Sequence, residues 1–287
     1  MQEKKRGRTH SRWLLPAALV LAGAAWFENF TLSTSTVTAA CAALPEAFSG
    51  LRIVQISDLH GRRFDAESRY LLELVRLQSP DLIALTGDLA DEFTDFSMLP
   101  PLLDGLTALA PTFYVTGNHE WVLSREKREA LFSMLDAAGV VRLQNEYRLL
   151  KKGQASIVLA GVDDPNGPYD QKRPAQLVRE IRQSRGRDAY ILMLSHRNDE
   201  LDLWANMGVQ TVLCGHGHGG IVRLPFVGAV FGTHLDLFPD YTAGLYRKGQ
   251  TSMLVSRGLG GSRKLPLRIG NRPEIVTVIL KAESGKV

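Results

Sequence analysis

From Leu51 onward, short runs rich in Val, Ile and Leu alternate with longer segments whose apolar residues recur at helical spacing. A chain written this way has to cover buried strands with helices, which predicts a layered α/β architecture. "LRIVQIS", "DLIALTG", "TFYVTG", "ASIVLAGV", "AYILMLS" and "VQTVLCG" read as buried strands. "SRYLLELVRLQS", "SMLPPLLDGLTAL", "SREKREALFSMLDAAG", "PAQLVREIRQS" and "NDELDLWANMG" read as helices, one stopped by Gly139 and one opened by Pro174. After Gly220 the text turns strand- and turn-like, in "GIVRLPFVGAVF", "YTAGLYRKG", "TSMLVSRG" and "EIVTVIL". That change predicts a β-rich second half of a sandwich in place of further βα units. No Pro/Gly/Ser-rich linker divides residues 51–287, so one domain is expected, over residues 31–287.

Charge narrows the partners. The net charge of +4 is carried by a basic tail, residues 1–12, in which Lys4, Lys5, Arg6, Arg8 and Arg12 face only Glu3. The remainder is balanced, and a balanced body gives no footprint for nucleic acid. Two cysteines, Cys41 and Cys214, make neither a disulfide framework nor a thiolate metal site. Cys214 reads as a small buried residue ending a core strand.

Behind the tail, "WLLPAALVLAGAAWF" carries no charge from Trp13 to Phe27. A full span wants roughly 20 apolar residues, so a membrane segment over residues 13–30 is marginal. Three readings stand open: an uncleaved anchor, a signal peptide cleaved after Ala22-Gly23-Ala24, and a segment lying in the membrane interface. A spanning anchor would leave the basic tail in the cytoplasm and the domain outside.

The polar residues fall where the strands end. "QISDLHG" supplies Asp58 and His60, "ALTGDLAD" Asp88, "VTGNHEW" Asn118, His119 and Glu120, "LMLSHRND" His196, and "VLCGHGHGG" His216 and His218. The carboxyl edge of an α/β sheet is where such folds build sites. A lone histidine there is ordinarily structural; five of the seven histidines, with two aspartates and an asparagine, point to metal. Carboxylate and imidazole donors suit Mn, Fe or Zn, and Mg less well. Seven candidate ligands exceed one ion but suit two sharing a carboxylate roughly 4 Å apart, an arrangement that clamps phosphoryl oxygens.

The ordered series "DLH", "GDL", "GNHE", "SH" and "GHGH", over residues 51–220, resembles the calcineurin-like metallophosphoesterases. "FENFTLST", "GLGGS" and "LPLRIGNRPEI" are similar to its membrane-associated bacterial branch, which includes enzymes similar to UDP-2,3-diacylglucosamine pyrophosphatases. The resemblance implies a four-layer α/β/β/α sandwich. Matching motif positions implies Asp58, His60 and His218 on a first metal, Asp88 bridging, and Asn118, His196 and His216 on a second. Mn is the expected ion, with Zn, Fe and Mg as alternatives. His119 is implied as a residue that binds no metal and instead stabilises the phosphoryl group or protonates the leaving group, work suited to an imidazole. His216 and His218 are then a forked pair, one imidazole per ion, with glycines permitting close backbone approach.

Around this set the sequence leaves smaller questions. "RND" after His196 and Ile221 after "GHGHGG" depart from the branch's pattern and loosen any transfer of substrate. Arg197 reads as a phosphate contact or a solvated strand-end residue. Asp163 and Asp164 read as supporting or turn residues, and Glu120 as orienting its loop. Arg257 and Arg263 flank "GLGGS" and read equally as phosphate-binding or surface residues. His10 lies in the tail, and His234 falls outside the series.

Three functions follow as expectations. The first is a dinuclear phosphohydrolase near a membrane, with hydroxide between the metals attacking a phosphomonoester, phosphodiester or pyrophosphate of a small-molecule or lipid-linked substrate. The second is a pyrophosphatase of the UDP-2,3-diacylglucosamine type in lipid A synthesis, whose substrate is expected on the cytoplasmic face of the bacterial inner membrane. The third is a metal-stabilised scaffold without catalysis, against which the intact set including His119 argues.

Overall fold

The structure is a computed structural model that describes residues 11–233, 235–261 and 268–283. His10, His234 and Arg263 lie outside the described residues, as does most of the basic tail.

Helix α1 (Ser11–Phe30) leads into strand β1 (Ser33–Cys41). Then follow β2 (Arg52–Ile56), α2 (Arg69–Leu77), β3 (Leu82–Thr86), α3 (Leu99–Leu109), β4 (Thr112–Val115), α4 (Asn118–Val122), α5 (Arg125–Ala137) and β5 (Val141–Arg142). The second run is β6 (Glu146–Lys152), β7 (Ala155–Gly161), α6 (Pro174–Arg185), β8 (Ile191–Leu194), α7 (Leu201–Asn206) and β9 (Thr211–Cys214). A hairpin, β10 (Val222–Leu224) and β11 (Gly228–Phe231), precedes β12 (Gly244–Lys248), β13 (Thr251–Val255) and β14 (Glu274–Ala282). Each helix and each buried strand expected from the periodicity is present, with boundaries trimmed by a few residues.

Two six-stranded sheets form, in the orders β1-β14-β2-β3-β4-β5 and β12-β13-β9-β8-β7-β6. In each, a core of parallel strands is joined to antiparallel neighbours, β14 beside β2 in one and β6 and β12 at the edges of the other. Alternation along the strands sorts the apolar residues. Val54, Ile56, Ile83 and Leu85 pack under α2, α3 and α5. Ile53, Leu82, Ala84, Leu192, Leu194 and Leu213 meet between the sheets. Ile191, Met193, Val212 and Cys214 pack with Leu177, Ile181 and Trp204 of α6 and α7. Helix, sheet, sheet and helix therefore stack as four layers.

The partition of strands differs from the sequence reading. The second sheet is not built from the segment after Gly220 alone: its central β7, β8 and β9 come from βα units, and β14 returns to the first sheet. Edge strands β1 and β6 have no counterpart in the apolar pattern. "STSTVTAAC" holds no large apolar residue but Val37, yet it pairs in parallel along the whole of β14. "EYRLLKK" is half-exposed and pairs antiparallel with β7.

The apolar segment of residues 13–30 lies within α1, whose C-terminal end is fastened to the domain: Asn29 Nδ2 donates to Arg268 O (3.0 Å) and Asn29 Oδ1 accepts from Arg268 N–H (2.8 Å). Among the described residues no helix is long and apolar enough to cross a membrane, so the spanning anchor has no counterpart there.

Candidate metal centre

The two sheets bring their parallel strand ends to one edge. Beneath that edge the buried Gln55 of β2 donates to Thr86 Oγ1 (2.9 Å) and Cys214 O (2.8 Å), tying β2, β3 and β9 together across the sheet interface. Above it the chains leave the strands with their backbone still paired. Asp58 N–H donates to Gly87 O (3.0 Å), His60 N–H to Asp88 O (2.9 Å) and Gly215 N–H to His196 O (3.0 Å). His216 N–H reaches across the sheets to Asp58 Oδ1 (3.0 Å).

The turns that aim the side chains are left-handed. Asp58, His60, Asp88, His216 and His218 all have φ between +49° and +66°, a region non-glycine residues seldom enter and which clusters at functional sites. Glycines admit the close approaches: a Cβ on Gly117 would collide with Asp88 Oδ1, and one on Gly215 with Ser57 and the Asp58 carboxylate.

Two groups of donor atoms result. Asp58, His60, Asp88 and His218 lie together, and Asp88, His196 and His216 form a second group sharing Asp88. His60 Nε2 is 3.3 Å from His218 Nε2 and 3.6 Å from Asp88 Oδ2. His218 Nε2 is 3.5 Å from Asp58 Oδ1. On the other side His196 Nε2 is 3.2 Å from both Asp88 Oδ2 and His216 Nδ1. His196 Nδ1 meets Thr86 O at 2.8 Å, which fixes that ring through its outer nitrogen.

The residues fit divalent ions. Asn118 Oδ1 is buried without a hydrogen-bond partner, an orphaned acceptor of the kind a cation satisfies. Burial holds the imidazoles of His60, His218 and His216 neutral, at about 4, about 3 and about 2, the ligating form. His196 differs: burial opposes its charge, but the adjacent Asp88 raises it to about 10. Burial likewise opposes ionisation of Asp88, yet His196 and His60 hold its carboxyl well below the usual range.

His119 belongs to neither group. Its backbone N–H donates to Asp88 Oδ1 (2.8 Å), and its ring stands edge-on to His60 with centroids 4.7 Å apart. Glu120 is fully buried and accepts four backbone N–H groups: Leu89 and Ala90 on Oε1, Asp88 and Gly117 on Oε2. It binds the "GDL" and "GNHE" loops to each other. Burial, with the Asp88 charge beside it, raises its carboxyl to about 7.

Arg197 is not a freely solvated residue. Its guanidinium grips Asp164 through two bonds (2.6 and 3.1 Å) and donates to His216 Nε2 (3.0 Å). Asp163 accepts from Thr116 and takes no place in either donor group. Arg257 is paired with Glu274 (2.9 Å), which gives it a structural task. Two residues escaped the sequence reading. Asn271, fully buried, donates to His218 O (2.8 Å) and Gly220 O (2.5 Å) and so holds the "GHGHGG" loop. Arg268, also buried, caps Arg257 O, Gly258 O and Gly260 O beside Asp58, and burial lowers it to about 9. Nothing in "LPLRIGNR" singles out either residue: the partners of Asn271 lie 53 and 51 residues away, and those of Arg268 are backbone carbonyls, which carry no sequence signature.

The calcineurin-like phosphoesterase family model matches residues 51–220, the stretch that contains every residue of both donor groups. The uncharacterized metallophosphoesterase YkuE of Bacillus subtilis (strain 168) is 31% identical over 267 residues, 90% of this chain and 89% of that protein. Phosphodiesterase YaeI of Escherichia coli (strain K12) is 31% identical over 234 residues, 80% of this chain and 82% of that protein. A Danio rerio transmembrane protein with metallophosphoesterase domain is 27% identical over 253 residues, 83% of this chain and 55% of that protein. With the four layers, the shared Asp88 and these matches in agreement, the chain belongs to the calcineurin-like phosphoesterases and is a metal-dependent phosphoester hydrolase.

Proposed function

We propose that the chain hydrolyses a phosphodiester with two divalent ions. Asp58, His60 and His218 would hold one, Asn118, His196 and His216 the other, and Asp88 would be shared between them. The carrying observation is that Asp88 is common to the two donor groups, which no single-ion site requires. Two ions bound there would polarise the phosphoryl oxygens and lower the pKa of a bound water. Mixed imidazole and carboxylate donors suit Mn, Zn or Fe, and Mg less well, and of these Mn is the ion proposed.

The protein's own residues supply position and a proton. His119 stands beside the donor groups, its backbone anchored on Asp88, so its ring is placed to give a proton to the leaving oxygen. Arg197, locked by Asp164, sets a fixed positive charge against the outer nitrogen of His216. A cavity of about 400 Å³ opens next to His216, lined also by Asp199, Asp236 and Asp240 and, among the described residues, by no lysine or arginine. Such a wall favours a singly charged diester over a nucleotide pyrophosphate, and the similarity to phosphodiesterase YaeI supports the same choice. A UDP-2,3-diacylglucosamine-type pyrophosphatase therefore ranks second.

The test is hydrolysis of bis-p-nitrophenyl phosphate, p-nitrophenyl phosphate and a UDP-linked acyl sugar, with Mn or with chelator. Metal-dependent turnover that prefers the diester and disappears in Asp88→Ala, with metal content falling below two ions, is the expected result. Two ions retained in Asp88→Ala would refute the bridge, and preference for the acyl sugar would reverse the ranking.

A further inference from the structure

The loop that forms one wall of the cavity next to His216 also carries a strip of exposed apolar side chains. Gly232, Thr233 and Asp236 line the cavity beside His216. Between and after them, Leu235, Leu237 and Phe238 are more than 60% exposed. The loop is held in shape by Gly232 N–H to Asp236 O (2.9 Å) and Phe238 N–H to Val230 O (2.9 Å). At the neighbouring hairpin tip Phe226 is fully exposed, flanked by Leu224 and Val227. Soluble surfaces seldom present so many large apolar groups together.

The hairpin is tied to α1 through the chain around Arg268. Ile269, itself half-exposed, is bridged to Val222 of β10. Its neighbour Arg268 is the residue that Asn29 of α1 holds by two reciprocal hydrogen bonds. The exposed Phe30 packs over the Arg62 guanidinium (5.5 Å), two residues from the donor His60. Trp26 and Phe27 extend the apolar surface along the helix. In the sequence, five basic residues precede this charge-free segment.

We infer that the hairpin tip, residues 224–227, and the loop tip, residues 235–238, dock with α1 on an anionic lipid bilayer, placing the mouth of the cavity beside His216 at the lipid headgroups. The occupant is a membrane surface because, in the sequence, the apolar segment of α1 follows directly on a basic one. Aromatic and aliphatic groups enter the acyl boundary while cations meet anionic headgroups. A protein groove would need the apolar strip alone. The substrate class that follows is a phosphodiester of an amphiphile, its phosphate at the depth of the headgroups. That last step rests on the phosphodiesterase reading; the docking itself does not.

The test uses the full chain with vesicles of phosphatidylcholine, alone or mixed with phosphatidylglycerol. Wild type is expected to sediment with the mixed vesicles. Phe226→Ser and Phe238→Ser should each weaken partition about tenfold, from the transfer free energy of a buried aromatic side chain. Their hydrolysis of bis-p-nitrophenyl phosphate in solution should be unchanged. Because Cys41 and Cys214 are both buried, Phe226→Cys can be labelled alone with an environment-sensitive dye. Its emission should shift to the blue on mixed vesicles. Wild type left in the supernatant, serine variants that bind like wild type, or an unshifted dye would each overturn the docking. Self-association of the wild type, abolished by the same serine substitutions, would assign the strip to a second copy and overturn it too. Vesicle binding without any diester hydrolysis would instead count against the phosphodiesterase reading and leave the docking intact.

Discussion

Replacing Asn271 by Asp changes one atom of nearly the same size in the part of the fold that holds the "GHGHGG" loop. The Asn271 amide nitrogen donates to His218 O (2.8 Å) and Gly220 O (2.5 Å), and the side chain is fully buried. In the variant a carboxylate oxygen faces two carbonyl oxygens. Two hydrogen bonds are lost and two buried carbonyls are left unpaired, at about 1–3 kcal/mol each, so a loss of roughly 2–6 kcal/mol is expected. The sign of the pH dependence follows from the same contacts. Burial and two facing acceptors raise the new carboxyl above its unfolded value, so the folded protein retains a proton that the unfolded chain releases. The protonated acid can donate one bond, so the deficit is smallest below the unfolded pKa of about 4 and grows as pH rises through the folded one. Urea unfolding of the metal-free variant and wild type, at several pH values between acid and neutral, gives both the size and the slope. Metal content after dialysis gives the consequence for His216 and His218, whose loop loses its brace. An unfolding midpoint equal to that of wild type at neutral pH, with full metal content, would show that the two amide bonds do not hold the loop and would refute this account.

Three further outcomes follow from the same geometry. His119→Ala should keep both ions, because its bond to Asp88 comes from the backbone, while turnover falls roughly 10²–10⁴-fold; loss of metal would move His119 into the donor set. Gly117→Ala meets no backbone penalty at φ −100° and ψ −171°, so its effect is steric: a Cβ 2.6 Å from Asp88 N displaces the shared carboxylate. Thus both ions should bind more weakly by elemental analysis, and unaltered stoichiometry would contradict the packing. Metal uptake near neutral pH should release about one proton, since His196 is held charged by Asp88 up to about 10 and must be neutral to ligate. Titration calorimetry in buffers of different ionisation enthalpy measures that release, and a buffer-independent heat would exclude it.

What could be read from the sequence was whatever has a local signature. An apolar strand followed at once by Asp, Asn or His is visible within ten residues, so Asp58, His60, Asp88, Asn118, His196, His216 and His218 could all be picked out. Long-range pairings have no such signature. Asn29 and Arg268 are 239 residues apart, and the return of β14 between β1 and β2 cannot be inferred from "EIVTVIL", which reads the same in either sheet. Strand β1 was hidden for a different reason: its Ser and Thr residues lie on a sheet edge, where β-branching and pairing with β14 matter more than apolar burial.

The left-handed turns at the donor residues connect fold to chemistry. A local rule would place glycine at such positions, yet Asp58, His60, Asp88, His216 and His218 occupy them. At about 1–3 kcal/mol each, five such residues cost on the order of 10 kcal/mol in all. They persist only where neighbouring contacts over-determine the backbone. Those contacts are specific: Gly87 O receives Asp58 N–H, Asp88 O receives His60 N–H, the Asp58 carboxylate receives His216 N–H, and Asn271 holds the carbonyl of His218. Each bond spans two loops from different strands, so the strain at one donor is borne by the loop of another. The result is a set of carboxylates and imidazoles drawn together before any ion arrives, with the buried Asn118 Oδ1 left without a protein partner. Divalent cations drawn in by these converging donors would offset that strain, and at these five positions the strained backbone is the backbone that carries the chemistry.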